Sequence, residues 1–399
     1  MSPQKANKPA PNKIAGQPPG AAVKEGWQTK NLGDVATLQR GFDLPTQNRV
    51  SGPYPLVSSS GISDTHHQHA VRGPGVVTGR SGSIGNVFFI EEDFWPLNTT
   101  LYIKDFHGND PRFVFYLLND FDLKRFSSGT GVPTLNRNFV HDERVFVPTL
   151  LAEQKRIVAL LDEAFAGIAT AKANAEKNLQ NARAVFESHL HSVFTQRGEG
   201  WDVKPLGELS QFKNGLNYNK RSGGQTLPVV GVADFHDNDF VPISDLQSAT
   251  IDGDLADNYA IQRNDILAVR SNGSKHLVGR CMLVGDVDEL VSYSGFIIRI
   301  RFDAKIVFPE FLLHFMKCKA TRDILTAGGG GANITNINQE KLSSLLVPLP
   351  PYKTQVQVAS ALDSMRAETQ RLASIYEKKI AALDALKKAL LRQAFAGEL

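Results

Sequence analysis

Residues 27–41 read WQTKNLGDVATLQRG and residues 201–215 read WDVKPLGELSQFKNG; the Trp, the Leu-Gly pair and the closing Gly recur without a gap at a spacing of 201 − 27 = 174. Self-similarity at long period decides the architecture before any local reading does. Further along the chain, PRFVFYLL (111–118) answers PEFLLHFM (309–316), and GTGVPTLNRNFV (129–140) aligns with GGGANITNINQE (329–340). That alignment pairs Asn136 with Asn336, Asn138 with Asn338, and Val147-Pro148 with Val347-Pro348. Each copy closes in a helical segment, where Gln154 answers Gln355, Asp162 answers Asp363 and Phe194 answers Phe395. Two units of this length are too few and too large for a solenoid. They predict a duplicated domain with its helix and a monomer of pseudo-twofold symmetry.

The expected plan is a disordered basic tail (1–25), a first globule (26–150), a central long helix (151–200), a second globule (201–350) and a terminal long helix (351–399). The 399 residues are too many for one ordinary core. With 42% hydrophobic and 21% charged residues the composition is that of a globular protein, and the net charge of +3 permits contact with nucleic acid without requiring it. Cys281 and Cys318 are the only cysteines, too few for a disulfide framework, which fits a reducing cytoplasm. No apolar run approaches the roughly 20 residues of a membrane span.

Within each globule, short β-branched runs alternate with Gly, Pro, Asn and Asp punctuation: GPGVV, NVFFI and TTLYI in the first copy, DILAV, GRCMLV and GFIIRIRF in the second. A helix follows each set, opened by Pro111 and by Pro309, a residue suited to the first helical turn. The fold class is therefore α+β, with a twisted, mostly antiparallel sheet in each globule.

Residues 153–197 contain no proline and place Ile157, Leu161, Ala164, Ile168, Ala171 and Ala175 on one stripe, which shifts phase to Leu179, Ala182, Phe186, Leu190 and Val193. Residues 353–396 put Leu362, Met365, Leu372, Tyr376, Leu383, Leu386 and Leu390 on one face. At 1.5 Å per residue each helix is a rod of about 65 Å. A stripe so narrow is expected to bury itself against the other rod, as an antiparallel coiled coil.

The loop Gly79-Arg80-Ser81-Gly82-Ser83-Ile84-Gly85 resembles a phosphate cradle, but a Walker loop or a dinucleotide fingerprint must open into a helix whose N–H groups hold the phosphates. A strand, Asn86-Val-Phe-Phe-Ile, follows instead. The second copy has Arg270-Ser271-Asn272-Gly273-Ser274-Lys275 at the corresponding place. Hairpin tips with Arg, Lys, Ser and Asn carry the groups that grip phosphates and read base edges. Leu349-Pro350-Pro351-Tyr352 resembles the motif with which amino-methyltransferases hold a flipped base, but it has Leu at the polar position and leads into a helix; it reads as a hinge. His66, His67 and His69 lack a matching ligand set and have no counterpart in the second copy, so surface or hydrogen-bonding roles fit them better than a metal. No nucleophile elbow, HExxH or kinase signature occurs, and the chain reads as a binding protein.

The duplicated globule–helix plan, the stretch GPGVVTGRSGSIGNVFFIEEDFWPLNTTLYIKDF (73–106), the Val-Pro exits into the helices and the closing KKALLRQAFAGEL together resemble the specificity subunit of type I DNA restriction–modification systems, over residues 27–399. The resemblance implies two target-recognition domains, each reading one half of a bipartite site on double-stranded DNA, with the paired helices setting the gap between the halves. It also implies that the helices seat two modification subunits carrying S-adenosylmethionine, and that restriction subunits with ATP-driven translocation complete the assembly. No catalytic residue, metal or cofactor is expected on this chain itself. The DNA candidates carried over are Arg80, Ser81, Ser83, Thr134, Asn136, Arg137 and Asn138 in the first copy. In the second they are Arg270, Ser271, Ser274, Lys275, Asn333, Thr335, Asn336 and Asn338, with a longer loop in which Gly279 is only a loose counterpart of Gly85. A stand-alone methyltransferase or a coiled-coil scaffold without DNA specificity remain the alternatives.

Overall fold

The computed structural model describes residues 24–128, 133–196, 198–218, 222–236, 238–327 and 335–399. They form two compact units: the first ends at Glu176 and also takes Lys378–Leu399, and the second is Lys177–Glu377. Both long helices thus contribute to both units, the central one as Leu151–Gln196 and the terminal one as Tyr352–Ala396.

In the first unit a four-stranded antiparallel sheet has the order Thr37–Arg40, Thr100–Asp105, Gly75–Gly79, Val87–Ile90. A three-stranded sheet, Gly61–His66, Tyr54–Ser58 and Trp95–Pro96, lies beside it in sequence, its last pair parallel. Trp27–Asn31 pairs with Arg144–Pro148, tying the start of the globule to its exit. The helix Pro111–Asp120 is opened by proline and capped by Asp110, whose carboxylate accepts from the N–H groups of Arg112 and Phe113. It buries Phe113, Val114, Tyr116, Leu117 and Leu118 in the core.

The second unit repeats this topology. Its four strands run Ser210–Asn214, Ile297–Phe302, Ile266–Val269, Cys281–Leu283, and its three run Ser248–Thr250, Thr226–Val230, Ser292–Tyr293, again with the last pair parallel. Asp202–Pro205 pairs with Leu346–Leu349 and the helix Pro309–Lys317 follows the sheet. The expectation of mostly antiparallel sheets holds: among the described strands one short pair in each unit is parallel.

The strand registers correct one alignment made from sequence. Lys30 stands opposite Val145, and Lys204 opposite Val347, so Val347-Pro348 corresponds to Val145-Phe146 and not to Val147-Pro148. The same two-residue shift applies upstream, where Leu135 N–H donates to the Arg80 carbonyl and Ile337 N–H to that of Arg270, each at 2.8 Å. Asn136 therefore corresponds to Asn338, and Thr134 to Asn336. A run of Asn and Gly offers several near-equal alignments, and a two-residue shift keeps the same side chains on the same face, so the pattern alone does not separate them; the hydrogen-bonded ladder does, because it gives each residue one partner.

The repeated residues of the long helices are pins. Gln154, buried, accepts from Asp110 N–H (2.8 Å) and donates to Asn109 Oδ1 (2.7 Å) and the Pro148 carbonyl (3.2 Å). Gln355 accepts from Phe308 N–H (2.8 Å) and donates to the carbonyls of Ile306 (3.1 Å) and Pro350 (2.9 Å). Asp162 takes the Tyr116 hydroxyl and Arg112 Nε, and Asp363 meets His314 Nε2 at 2.8 Å. Phe395 sits against Phe113 (ring centroids 5.4 Å) in the first unit, and Phe194 against Phe311 (5.3 Å) in the second.

Within the first unit the helices are antiparallel: Arg156 reaches the Leu399 carbonyl at 2.8 Å, while Lys172, further along, bonds Asp384 at 2.7 Å. Ile157, Leu161, Ile168 and Ala175 are buried as the stripe predicts, and in the second unit so are Ala182, Leu190 and Leu362. Leu386 is a correction: it is 46% exposed, since the terminal helix seats its last turns through Leu391, Ala394 and Phe395 and turns Leu386 outward.

His314 stands where the first unit has Tyr116. Burial is the largest influence and pushes the imidazole below its ordinary value of 6.5 against the pull of Asp363; Tyr116 is pushed up to about 12 and stays neutral. The folded second unit binds fewer protons at His314 than the unfolded chain does, so its stability falls as pH drops through the ordinary histidine range. Thermal melts at about pH 7.5 and about pH 5.5 should show acid destabilisation of the second unit that His314→Tyr reduces; an unchanged pH dependence in that variant would contradict the assignment.

Candidate nucleic-acid interface

In the first unit the strand Gly75–Gly79 turns at Arg80-Ser81 and returns as Val87–Ile90. The turn needs its glycines. A Cβ on Gly79 would lie 2.1 Å from the Ser83 carbonyl oxygen, and Gly82 and Gly85 have φ of +81° and +88°. Because a strand and not a helix follows, no row of free N–H groups converges on a phosphate.

The structure joins the two candidate segments of this unit. Arg80 and Ser81 N–H both donate to the Thr99 carbonyl (2.9 and 3.2 Å), Ser81 bridges Thr134 in antiparallel fashion, and Leu135 closes onto the Arg80 carbonyl. Residues 80–83 and 134–138 thus form one surface, with Ser83, Arg137 and Asn138 exposed and Arg80, Ser81 and Thr134 half-buried. Asn136 has a local task as well: its Oδ1 caps the short helix Arg137–His141 by accepting from Asn138 N–H at 3.1 Å.

Arg80 Nη1 reaches the Asn98 carbonyl at 3.4 Å. Asn98 in turn donates to Asp43 (2.5 Å), which also receives Arg40 (2.8 Å), and those side-chain bonds, that from Arg40 foremost, hold the Asp43 carboxyl below its usual range.

The second unit has the same construction. Arg270 and Ser271 N–H donate to the Phe296 carbonyl (2.9 and 3.4 Å), Ser271 pairs with Asn336 and Asn272 with Thr335, and Arg270 Nη1 reaches the Gly295 carbonyl at 3.4 Å. Arg80 and Arg270 therefore occupy one position in two settings. Gly279, with φ of +80°, stands two residues before its strand as Gly85 does, so the loose counterpart is the true one. The tip itself differs: Asn272 Oδ1 accepts from Ser274 N–H (2.8 Å), Ser274 Oγ meets His276 Nδ1 (2.8 Å), and Lys275 is exposed. Asn338 caps its helix by accepting from Lys341 N–H at 2.9 Å. Asn333 lies outside the described residues.

Two residues at these tips escape sequence reasoning. Lys124 lays its methylenes against Gly85, where a Cβ would be 3.0 Å from Cγ, and Arg322 holds the carbonyls of His276 (3.0 Å) and Val278 (3.4 Å) next to Gly279. Their only sequence signal is their equal distance past the prolines at 111 and 309.

The other candidates are structural. His66 is buried with Nδ1 against Val50 (3.0 Å), His69 stands 3.6 Å from Asp93, and among the described residues no group of three or more His, Cys, Asp or Glu is placed to hold a metal. Pro350 accepts from Gln355, and Tyr352 packs edge-on to Phe308 at 6.0 Å, as a joint between strand and helix would. No described helix is long and apolar enough to cross a membrane.

The model of the type I restriction modification DNA specificity domain matches residues 24–180 and, a second time, residues 198–378. This chain belongs to that family. Each match begins within three residues of the start of one of the two copies read from the repeat and ends inside its long helix. The StySPI specificity subunit of Salmonella potsdam is 26% identical over 62% of this chain and 56% of its own length, and the EcoKI specificity subunit of Escherichia coli is 26% identical over 50% and 44%. The chain thus spans about half the length of those two curated relatives. A solved chain from work on complex assembly and conformational transition of a type I restriction–modification system superposes with TM-score 0.76 at 19% identity, covering 95% of this chain and 100% of that one. The HsdS subunit from Thermoanaerobacter tengcongensis gives 0.59 at 20% identity over 95% and 99%. At these identities the two structures establish the fold, an α+β pair of specificity domains with long helices.

Proposed function

We propose that this specificity-domain protein is the DNA-reading subunit of a type I restriction–modification assembly and performs no chemistry of its own. The observation that carries the reading is the repeated hairpin. In both units an Arg-Ser tip is held by one carbonyl and stitched to a strand bearing Thr134 or Asn336, while the rest of the tip differs. One scaffold with two unlike polar tips is what reading two unlike half-sites requires, since hydroxyl, amide and guanidinium groups distinguish base edges.

Double-stranded DNA is the direct partner. Two modification subunits, supplying S-adenosylmethionine, dock on the long helices, and restriction subunits supply ATP-driven translocation and cleavage, all in the cytoplasm. The helices set the gap between the half-sites, because each is shared by both units.

The test is to co-express the chain with its methyltransferase partner and map methylated sites on host DNA. Two constant half-sites with one fixed gap are expected. Inserting about seven residues, two turns, in the middle of both helices adds about 10 Å of helix and should lengthen the gap by about three base pairs at 3.4 Å each. An unchanged gap would overturn the spacer role, and methylation without any sequence preference would overturn DNA reading itself.

A further inference from the structure

A cavity of about 670 Å³ opens in the second unit between Arg183–Leu190 of the central helix, Arg366–Glu377 of the terminal helix and the strand that leaves the recognition hairpin at Gly279–Cys281. Five cationic side chains line it, Arg183, Arg280, Lys317, Arg322 and Arg366, against the carboxylates of Glu187 and Glu377. Arg183 is spent on Glu377 at 2.8 Å, and Lys317 and Arg366 flank Asp239. Arg280 and Arg322 have no carboxylate partner among the described residues. Arg280 bonds the His236 carbonyl, Arg322 bonds those of His276 and Val278, and Arg322 Nε is buried with no hydrogen-bond partner.

The fold does not require this lining. Where the second unit has Arg366 and Thr369, the first has Phe165 and Ile168. There Phe165 packs edge-on to Tyr116 (ring centroids 5.5 Å) beneath Lys387, and Ile168 is buried. A core that is apolar in one copy is a polar, arginine-lined hollow in the other.

We propose that the cavity is a binding site for a di- or triphosphate group, with Arg280 and Arg322 as its principal donors. Guanidinium groups free of carboxylates offer paired N–H donors that match phosphate oxygens, and the volume lies in the range of small-ligand sites. Phe186, half-buried, is the aromatic part of the wall available to a base if the phosphates belong to a nucleotide, whereas Phe235 behind the lining is buried in the core. The site is a ligand pocket and not a reaction centre, and it stands whether or not the hairpins read DNA.

Isothermal titration of the full chain, without DNA, with inorganic triphosphate and with ATP tests the proposal. At least one should bind at one per chain; equal affinities assign the site to the phosphates alone, and tighter ATP adds the aromatic wall. Arg280→Ala and Arg322→Ala should each weaken binding about 10- to 100-fold, while Lys305→Ala, at an exposed lysine away from the cavity, should leave it unchanged. Should either arginine variant melt at lower temperature than the parent, the pair Arg366→Phe with Thr369→Ile decides. It fills the hollow with the residues of the first unit, keeps both arginines, and should abolish binding. No binding of either probe, or binding that survives both the arginine and the filling variants, would overturn the site.

Discussion

Phe395→Ala is expected to destabilise the first unit by about 3–5 kcal/mol and to leave the second unit's melting largely unchanged. Phe395 lies in the last turn of the terminal helix, yet it is 2% exposed and sits in the core formed by Trp27, Phe113 and Ile157. Removing the ring leaves a cavity that Phe113, against it at 5.4 Å, cannot close without moving the sheet behind it. For a unit of this size the melting temperature should drop by roughly 10 °C. The mirror variant, Phe194→Ala, should do the same to the second unit, because Phe194 packs on Phe311 and Phe315 there. Calorimetry of both variants reads the difference, and a Phe395→Ala protein that melts like its parent would refute the claim that the terminal helix completes the first core.

The second large effect is expected at the hairpins. Arg80→Ala should lose about 1–3 kcal/mol of DNA affinity and relax preference only in the half-site read by the first unit, and Arg270→Ala should do so only in the other. The two arginines lie in separate units with no shared partner, so the double variant should add the losses, about 2–6 kcal/mol in all. Among the described residues each side chain makes a single long bond to a carbonyl, Asn98 or Gly295 at 3.4 Å, so removing it should change thermal stability little. Binding measured on a set of single-base variants of the mapped site separates the outcomes. A uniform loss across all variants would identify phosphate contacts, and no loss in either half would remove both arginines from the interface.

Much of the architecture is legible in the sequence because duplication writes it twice. The Trp-Leu-Gly pattern, the prolines at 111 and 309 and the paired Gln and Asp of the long helices determine two like units, each followed by a long helix, and the strand after Gly85 rules out a phosphate cradle. These are local signals: a proline's fixed φ, a glycine's left-handed turn, a stripe of apolar residues. The structure decided what depends on partners distant in the chain. It moved the pairing of Asn136 from Asn336 to Asn338, since only the β ladder defines the register there. It brought Ser81 beside Thr134, gave Lys124 and Arg322 their places behind the two hairpins, and turned Leu386 outward. The arginine-lined hollow of the second unit is likewise unreadable in one dimension, because its walls come from the two long helices, two shorter helices, a loop and a strand that meet only when the chain is folded.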